Sequence, residues 1–334
     1  MLRVAVNGFG RIGKLAVRIL MNTEGVNVVA INNTTDTPGC AYNYKYDSVH
    51  RTLDTDTYLE DDYLVIDGKK IKIVSDYDAL NLPWKDLDID LVLECTGAYT
   101  NYEDAYKHIT AGAKKVLISA PGKGDMKTIV YGVNDDILDG SEEVVSSASC
   151  TTNCLAPVLK VLNDEFGIEC GFMSTIHAYT NDQETLDKPH SKGIASRRGR
   201  AAGLSIVPTT TGAASAIGKV IPELEGKLDG QAYRVPTPDG SLIDVTLKLK
   251  KDVSVEQIND AFKRNQNYVL KYTDDPVVSS DIIGNVCGAL VDGALTSIVE
   301  NNGEKLVKVV AWYDNEMGYT AQMIRTGISM FKQN

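Results

Sequence analysis

The chain has 334 residues, of which 43% are hydrophobic and 24% charged, and its formal net charge is −11 at pH 7. This length exceeds that of most domains with a single core, so two domains are expected, and the composition excludes an intrinsically disordered chain. The negative charge argues against nucleic acid or an anionic membrane as a partner. Residues 2–6 are typical of a strand rather than of a signal peptide, and no run is long enough to span a bilayer, so a cytoplasmic protein is expected.

A glycine-rich turn follows the first predicted strand. Gly8, Gly10 and Gly13 form a G-x-G-x-x-G pattern, and the apolar residues after it recur at helical spacing. In this context Gly8 permits a tight turn, Gly10 lets the backbone approach a pyrophosphate, and Gly13 packs the helix against the sheet. The pattern predicts dinucleotide binding, with a plain tight turn as the alternative.

The second predicted strand, residues 26–31, leads into Asn33. An acidic residue often stands at this place, where it binds the adenosine ribose and repels the additional phosphate of NADP. An amide can bond to a ribose hydroxyl but carries no charge. We therefore hypothesise weaker discrimination against NADP than an aspartate would give.

Two further apolar runs end in small residues. Residues 89–94 lead into Cys95 and Thr96, and residues 115–118 lead into Ser119. Such strand ends form the crevice in which an open α/β sheet holds its ligand. They extend the predicted nucleotide domain to residue 149.

A cysteine stands at the predicted start of another helix. Cys150 follows small hydroxyl residues and precedes apolar residues at helical spacing, with Pro157 as a position at which the helix could kink. The N–H groups and dipole of a helix N-terminus favour a thiolate and can hold an anion. The alternative is a small buried core residue.

His177 follows the strand-like residues 171–176, soon after the cysteine helix. An imidazole near a thiol can accept its proton, although a hydrogen-bonded structural histidine is the alternative. The six cysteines form no C-x-x-C pair, so we expect reduced thiols and no metal site.

The second half of the chain offers two candidate anion sites. Residues 191–200 concentrate three arginines, and residues 208–214 supply threonines and a glycine before a predicted helix. A solvated surface is the alternative for the first segment and an ordinary turn for the second. Residues 243–249 alternate apolar and polar side chains, which predicts an antiparallel sheet with one wet face and an α+β second domain.

Together these motifs resemble the phosphorylating glyceraldehyde-3-phosphate dehydrogenase family. The resemblance rests on six blocks in the family's order: residues 7–13, 147–153, 177–182, 209–214, 234–236 and 312–316. It implies an α/β chain with a Rossmann NAD-binding domain over residues 1–149, to which a C-terminal helix over 315–334 returns. It also implies an α+β catalytic domain with a largely antiparallel sheet over residues 150–314, and a homotetramer that uses NAD and inorganic phosphate.

The resemblance implies a role for each matching residue. Cys150 is the nucleophile that forms a hemithioacetal and then a thioester, and His177 activates it. Thr180 and Arg234 hold the phosphate of glyceraldehyde 3-phosphate. The attacking phosphate is bound by Ser149, Thr151, Arg198, Thr211 and Gly212. Cofactor contacts fall on Gly8, Gly10, Arg11, Ile12, Gly13, Asn33, Thr96, Ser119 and Asn315, the last placed to bond the nicotinamide carboxamide.

Three departures from the family pattern concern the cofactor. Asn33 replaces the usual aspartate, Tyr77 stands where an arginine is common, and Lys188 precedes Pro189 in a loop that is longer than usual. An NADP-linked or dual-cofactor biosynthetic form therefore stays open, as does an erythrose-4-phosphate dehydrogenase. A non-catalytic scaffold with the same fold is a further alternative, which Cys150 and His177 disfavour.

Overall fold

The computed structural model describes residues 1–35, 37–191, 193 and 195–331. The chain divides into two compact units. The first comprises Met1–Tyr131, Asp135–Ser149 and Thr320–Asn334, and the second comprises Gly132–Asn134 and Cys150–Tyr319.

The first unit is built on a twisted sheet with short helices. Its elements are β1 (Leu2–Asn7), α1 (Arg11–Leu20), β2 (Val26–Asn32), α2 (Gly39–Lys45), β3 (Thr57–Glu60), β4 (Tyr63–Ile66), β5 (Lys69–Val74), β6 (Leu91–Glu94), α3 (Tyr102–Ala105), α4 (Lys107–Thr110), β7 (Lys115–Ile118) and β8 (Val144–Ser146). The sheet order is β3-β4-β5-β2-β1-β6-β7-β8, with β3 and β4 antiparallel to their neighbours.

The remaining strands of this sheet run parallel. Numbered among themselves in chain order, β1, β2, β5, β6, β7 and β8 follow the sequence 3-2-1-4-5-6, which is the order of the Rossmann fold. In β1, β6, β7 and β8 the central residues are buried on both faces, so these strands read as continuous apolar runs rather than alternating ones. The predicted Rossmann fold is confirmed.

The second unit packs helices on a mixed sheet. Its elements are α5 (Cys150–Phe166), β9 (Ile168–Ala178), β10 (Val207–Thr210), α6 (Ala213–Val220), β11 (Leu228–Val235), β12 (Ser241–Leu249), α7 (Val255–Arg264), β13 (Leu270–Thr273), α8 (Ser279–Ile282), β14 (Ala289–Asp292), β15 (Ser297–Asn301) and β16 (Glu304–Tyr313). The sheet order is β10-β11-β9-β12-β16-β14-β13, and β15 also pairs with β16. The β9/β11 and β13/β14 pairs are parallel and the others antiparallel, as a largely antiparallel sheet requires.

Strand β12 confirms the predicted alternation. Ile243, Val245 and Leu247 are fully buried, whereas Asp244 and Thr246 are only partly covered. Helix α5 includes Pro157 in its interior, so the proline does not end it. In that helix most of the first thirteen residues are buried, and this packing outweighs the lost backbone hydrogen bond.

The last helix, α9, covers Met317–Ser329 rather than the whole predicted segment 315–334. Asp314 accounts for the later start, because its carboxylate accepts hydrogen bonds from the backbone N–H groups of Glu316 and Met317 and so caps the helix. Residues 332–334 of the predicted helix lie outside the described residues. Across the described part of the chain, no helix has the length and apolar character that a membrane crossing requires.

Candidate active site

The glycine turn of the first unit joins β1 to α1. Gly8 adopts a φ of 95°, and a Cβ there would lie 2.8 Å from Thr96 Cγ2. A Cβ on Gly13 would lie 2.0 Å from the carbonyl oxygen of Gly8, whereas a Cβ on Gly10 would meet nothing within 4 Å. Gly8 and Gly13 are therefore needed for the turn itself, and Gly10 leaves an open approach to the backbone.

A crevice opens beside this turn, at the carboxyl ends of the parallel strands. It is lined by Gly8, Phe9, Gly10, Asn32, Asn33, Thr34, Thr35, Cys95 and Thr96. The structure thus brings four of the predicted cofactor residues together, namely Gly8, Gly10, Asn33 and Thr96. Ser119 lies at the end of the next strand, where its N–H donates to the carbonyl oxygen of Glu94 at 2.9 Å.

Asn33 is buried beside the crevice. Its Nδ2 donates to Cys40 Sγ at 3.0 Å, and its Oδ1 accepts from the hydroxyl of Thr35 at 2.9 Å. These contacts hold a neutral amide where a carboxylate was the family expectation. Tyr77, in contrast, is 81% exposed, and its hydroxyl lies 3.5 Å from the carbonyl oxygen of Thr34.

The first turn of α1 carries Arg11 and Ile12. Arg11 forms an ion pair with Asp47, whose side chain is 3% exposed. Burial by itself raises the pKa of Asp47, but the hydrogen bond from Arg11 and those from the N–H groups of His50 and Val49 outweigh it and hold the pKa well below its usual range. The guanidinium is therefore neutralised by the chain itself, which leaves the helix N-terminus as the main attraction for a ligand phosphate. Ile12 packs its side chain against the apolar core.

In the second unit, Cys150 and His177 form a pair. Cys150 is the first residue of α5 and His177 lies near the end of β9. The sulfur lies 3.4 Å from His177 Nε2. Cys150 is partly exposed whereas His177 is 3% exposed.

The hydrogen bonds of His177 define its tautomer. Nδ1 lies 2.7 Å from the carbonyl oxygen of Ala178, which can only accept, so Nδ1 carries the hydrogen. Arg234 Nη1 also lies 3.0 Å from Nδ1, but it has other acceptors at 3.0 Å in the same carbonyl and in Thr180 Oγ1. Nε2 is consequently the basic nitrogen and faces the thiol.

Burial acts on both members of the pair. It lowers the pKa of His177 to about 3, with the charge of Arg234 as a further cause. It raises the pKa of the Cys150 thiol, although Arg234 and hydrogen bonds from Thr151 act in the opposite direction. Desolvation is the largest of these effects, so the net shift of the thiol pKa is upward although Cys150 begins a helix. One proton serves both groups at neutral pH, and it can pass from sulfur to Nε2 as the sulfur attacks a carbon.

Polar and charged side chains continue from this pair. Arg234 donates to Thr180, and Thr180 donates to Asp182. Asp182 also pairs with Arg198, which donates to Thr209 through Nε at 3.1 Å. Burial would raise the pKa of Asp182, but the hydrogen bond from Thr180 and the charge of Arg198 hold it below its usual range.

Arg234 retains an unused donor in this cluster. Its Nε is buried and, among the described residues, makes no hydrogen bond. A buried unpaired N–H is costly, so an anion oxygen at this position would be favourable. The structure therefore brings the predicted residues Cys150, His177, Thr180, Arg198 and Arg234 into one connected cluster.

Three other predicted residues are placed differently. Thr211 Oγ1 accepts from Ala213 N at 3.2 Å, and Gly212 precedes α6 as its N-cap residue. Within the described ranges, no hydrogen bond joins Thr211 or Gly212 to Cys150 or His177. Ser149 is the residue before α5 and belongs to the first unit.

Tyr313 is a site residue for which the sequence suggested no role. Its hydroxyl lies 2.9 Å from Thr151 Oγ1 and 2.8 Å from Thr175 Oγ1, so it joins the start of α5 to β9. Its ring meets that of His177 edge to face at 5.9 Å. The predicted phosphate ligand Thr151 thus directs its hydroxyl to a buried tyrosine. A tyrosine inside the block 312–316 was the available signal, but its partners are distant in sequence.

Asn315 is oriented by Ser241. The N–H of Ala178 donates to Ser241 Oγ at 3.0 Å, and this hydroxyl donates to Asn315 Oδ1 at 2.6 Å. The amide oxygen is therefore occupied, and Nδ2 is the group that can donate to a ligand carbonyl.

In the loop after β9, Lys188 Nζ lies 3.7 Å from a carboxylate oxygen of Glu184, with which it forms an ion pair.

Comparison with known protein families covers most of the chain. Residues 2–102 match the model of the glyceraldehyde 3-phosphate dehydrogenase NAD binding domain, and residues 149–315 match that of the C-terminal domain of the same enzyme. The chain belongs to the glyceraldehyde-3-phosphate dehydrogenase family.

Individual family members match over nearly the full length. The glyceraldehyde-3-phosphate dehydrogenases of Clostridium acetobutylicum and Clostridium pasteurianum are each 55% identical over 326 residues, which covers 98% of this chain and 97% of theirs. That of Streptococcus pyogenes is 52% identical over 325 residues, or 97% of this chain and 96% of its own. The family assignment predicted from the six sequence blocks is confirmed, and with it an oxidoreductase that has a nicotinamide dinucleotide cofactor.

Proposed function

We propose that this protein catalyses the phosphorylating oxidation of glyceraldehyde 3-phosphate to 1,3-bisphosphoglycerate with NAD and inorganic phosphate, the glycolytic reaction. The observation that carries the proposal is the contact between Cys150 Sγ and His177 Nε2 in a cluster that also holds Arg234 and Arg198. A thiol with a base suits acyl transfer, and arginines suit a phosphorylated substrate.

The first unit suits the cofactor. Its crevice contains a backbone turn that only glycine permits at Gly8, an open approach at Gly10, and the N-terminus of α1 for a pyrophosphate. When bound, NAD supplies a hydride acceptor. In the second unit, Nδ2 of Asn315 would donate to the carboxamide oxygen of the nicotinamide.

Cys150 carries the covalent chemistry. Its sulfur forms a bond to the aldehyde carbon while His177 Nε2 takes the thiol proton and passes it to the carbonyl oxygen, which becomes the hydroxyl of a hemithioacetal. Loss of a hydride from that carbon and of the hydroxyl proton to the histidine leaves a thioester. An inorganic phosphate oxygen then attacks the thioester carbonyl, the carbon–sulfur bond breaks, and the sulfur regains a proton from His177 Nε2.

The anion-binding side chains hold the two phosphate groups. We assign Thr180 and Arg234 to the phosphate of the substrate. We assign Ser149, Thr151, Arg198, Thr211 and Gly212 to the attacking phosphate. The backbone N–H groups at the start of α5 and α6 and the unused Nε of Arg234 suit such anions.

Initial rates of reduced-cofactor formation test the proposal. We expect phosphate-dependent oxidation of glyceraldehyde 3-phosphate, with a kcat in Cys150→Ser that is lower by at least about a thousandfold because the hydroxyl is a weaker nucleophile. Cys154→Ser, one turn further along the same helix, is the matched control and should retain most of the rate. Full activity in Cys150→Ser would disprove the mechanism.

Asn33 supports a second candidate, a dual-cofactor or NADP-linked form. A neutral side chain in this place does not repel a 2′-phosphate. Comparing kcat/KM for NAD and NADP distinguishes the forms, and erythrose 4-phosphate tested beside glyceraldehyde 3-phosphate distinguishes the substrates. The homotetrameric state and the cytoplasmic location expected from the sequence remain part of the proposal.

A further inference from the structure

A buried polar network lies beneath the crevice of the first unit. Glu94, at the end of β6, is 1% exposed, and His108 on α4 is fully buried. Each chain of hydrogen bonds in the network begins at an atom that can act only as a donor or only as an acceptor. The direction of every bond can therefore be assigned.

The first chain begins at the backbone of Asp76. Its N–H donates to Asn32 Oδ1 at 3.1 Å, and its carbonyl accepts from Asn32 Nδ2 at 2.8 Å, which sets the orientation of that amide. Asn32 Nδ2 also donates to Asn7 Oδ1 at 2.7 Å. Asn7 must then present its Nδ2, which donates to Glu94 Oε2.

The second chain begins at the indole of Trp84, which is a donor only. Its Nε1–H donates to His108 Nδ1 at 2.9 Å, so that nitrogen is the acceptor of the ring. The hydrogen of the neutral imidazole is therefore on Nε2, which lies 3.1 Å from Glu94 Oε2. If Nδ1 of His108 were protonated, its N–H and the indole N–H of Trp84 would face each other as two donors.

The third chain is the shortest. The backbone N–H of Thr96 donates to Glu94 Oε1 at 2.7 Å, and the hydroxyl of Thr96 donates to the same oxygen. Each carboxylate oxygen of Glu94 thus accepts two hydrogen bonds. Among the described residues, both oxygens have their partners in the N–H and O–H donors of Asn7, His108 and Thr96, so neither is left to carry a proton and these donors hold the buried charge.

The network joins the strand ends that line the crevice. Asn7 ends β1 and precedes Gly8, Asn32 ends β2 and precedes Asn33, and Glu94 ends β6 and precedes Cys95 and Thr96. Asn32 and Thr96 line the crevice themselves. A shift of Glu94 would therefore move the backbone on three sides of this crevice.

We propose that Glu94 is a positioning residue for the cofactor: its carboxylate, fixed by Asn7, Thr96 and a neutral Nε2–H tautomer of His108, sets the shape of the dinucleotide crevice. The inference rests on the proposed binding of NAD. It requires one negative charge at the contact between residues 94 and 7 rather than the volume of the side chain.

The isosteric variant Glu94→Gln tests the charge. In this variant an NH₂ group replaces one of the two carboxylate oxygens. In either orientation the NH₂ group faces two hydrogen-bond donors, so the strand ends must move. We expect the Kd for NAD, measured by titration calorimetry, to rise about tenfold or more. Glu60→Gln, on β3 of the same unit with an exposed side chain paired with Lys70, is the matched control and should keep the wild-type Kd.

A transposed variant tests whether the pair formed by residues 7 and 94 needs a single negative charge. In Asn7→Asp with Glu94→Gln, the amide of residue 94 donates to the new carboxylate. This carboxylate also accepts hydrogen bonds from Asn32 and from His108. The latter bond is within reach because Asn7 Nδ2 and His108 Nε2 lie 3.3 Å apart in the wild-type protein. Asn7→Asp alone places two carboxylates in contact and should weaken NAD binding. The double variant should regain much of the affinity lost in Glu94→Gln, a coupling that a merely space-filling role would not produce.

The outcomes separate this inference from the proposed function. Failure of the wild-type protein to bind NAD would contradict the proposed function itself. Wild-type binding with an unchanged Kd in Glu94→Gln, or no recovery in the double variant, would overturn the role of Glu94 alone.

Long-range ¹H–¹⁵N correlation spectra of the wild-type protein, with His108→Gln for assignment, should show the Nε2–H tautomer. An Nδ1–H tautomer or an imidazolium would overturn the network even if the variants fail to fold.

Discussion

His177 has one nitrogen for structure and one for chemistry. Nδ1 donates to Ala178, and Nε2 faces the sulfur of Cys150. In His177→Asn the thiol loses its proton acceptor, so we predict that kcat falls by about 10²–10⁴-fold. Alkylation of Cys150 by iodoacetamide at pH 7 should slow as well. An unchanged alkylation rate, in a variant that melts at the wild-type temperature, would contradict the role of Nε2.

A second prediction concerns Asn33 and the choice between NAD and NADP. A carboxylate at this position would repel the 2′-phosphate of NADP at short range, and like charges in a buried site oppose each other strongly. We predict that Asn33→Asp raises the ratio of kcat/KM for NAD over NADP about tenfold. Asn33→Ser adds no charge and should leave the ratio nearly unchanged. The hypothesis is wrong if Asn33→Asp keeps the wild-type ratio.

At the scale of elements, helix α7 begins with a capping box. Gln257 N donates to Ser254 Oγ at 3.3 Å, and Ser254 N donates to Gln257 Oε1 at 2.8 Å. Replacing Ser254 by Ala leaves one N–H of the first turn without its acceptor, so we predict a loss of about 1 kcal/mol in the free energy of unfolding. Urea denaturation measures it. Gln257→Ala and the double variant should show less than additive losses, and strict additivity would mean that the two bonds are independent.

The ion pair of Asp47 with Arg11 ties the first turn of α1 to the segment after α2. The pKa of Asp47 is lower in the folded chain than the value of about 3.9 for an unfolded aspartate, so the pair stabilises the fold above that pH. This contribution is lost as the pH falls through the folded pKa. We predict that Asp47→Asn lowers the free energy of unfolding by about 1–3 kcal/mol at pH 7, with a smaller deficit at pH 3. The exposed Asp54→Asn should show neither effect, and an equal deficit at both pH values would contradict the assignment.

Elements of this chain could be predicted where local pattern and burial agree. The glycine turn, the alternation in β12 and the start of α5 at Cys150 all follow from neighbouring residues. What escaped prediction depends on contacts distant in sequence. Tyr313 meets Thr151 from 162 residues away, and the raised pKa of Cys150 comes from burial by elements that the local motif does not reveal.

At the scale of the whole molecule, one sheet face of the second unit carries exposed apolar side chains. Phe172 on β9 is 70% exposed and Leu306 on β16 is 49% exposed, and both line a cleft that also includes Thr246. The chain carries a net charge of −11, so charged side chains are available to cover its surface. We therefore expect an exposed apolar face to be buried against another copy. This face is where we expect part of the proposed homotetramer to form.

Phe172→Glu tests that assembly. A carboxylate on the apolar face would have to be buried without a partner, so we predict that the variant sediments as a smaller species than the wild-type protein. Leu80→Glu, at a 47% exposed apolar residue of the first unit, adds the same charge and should leave the sedimentation coefficient unchanged. If Phe172→Glu sediments with the wild-type protein at micromolar concentration, this face is not an interface between copies. Far-UV circular dichroism of the variant distinguishes dissociation from unfolding, because a dissociated subunit retains the helices and strands of both units.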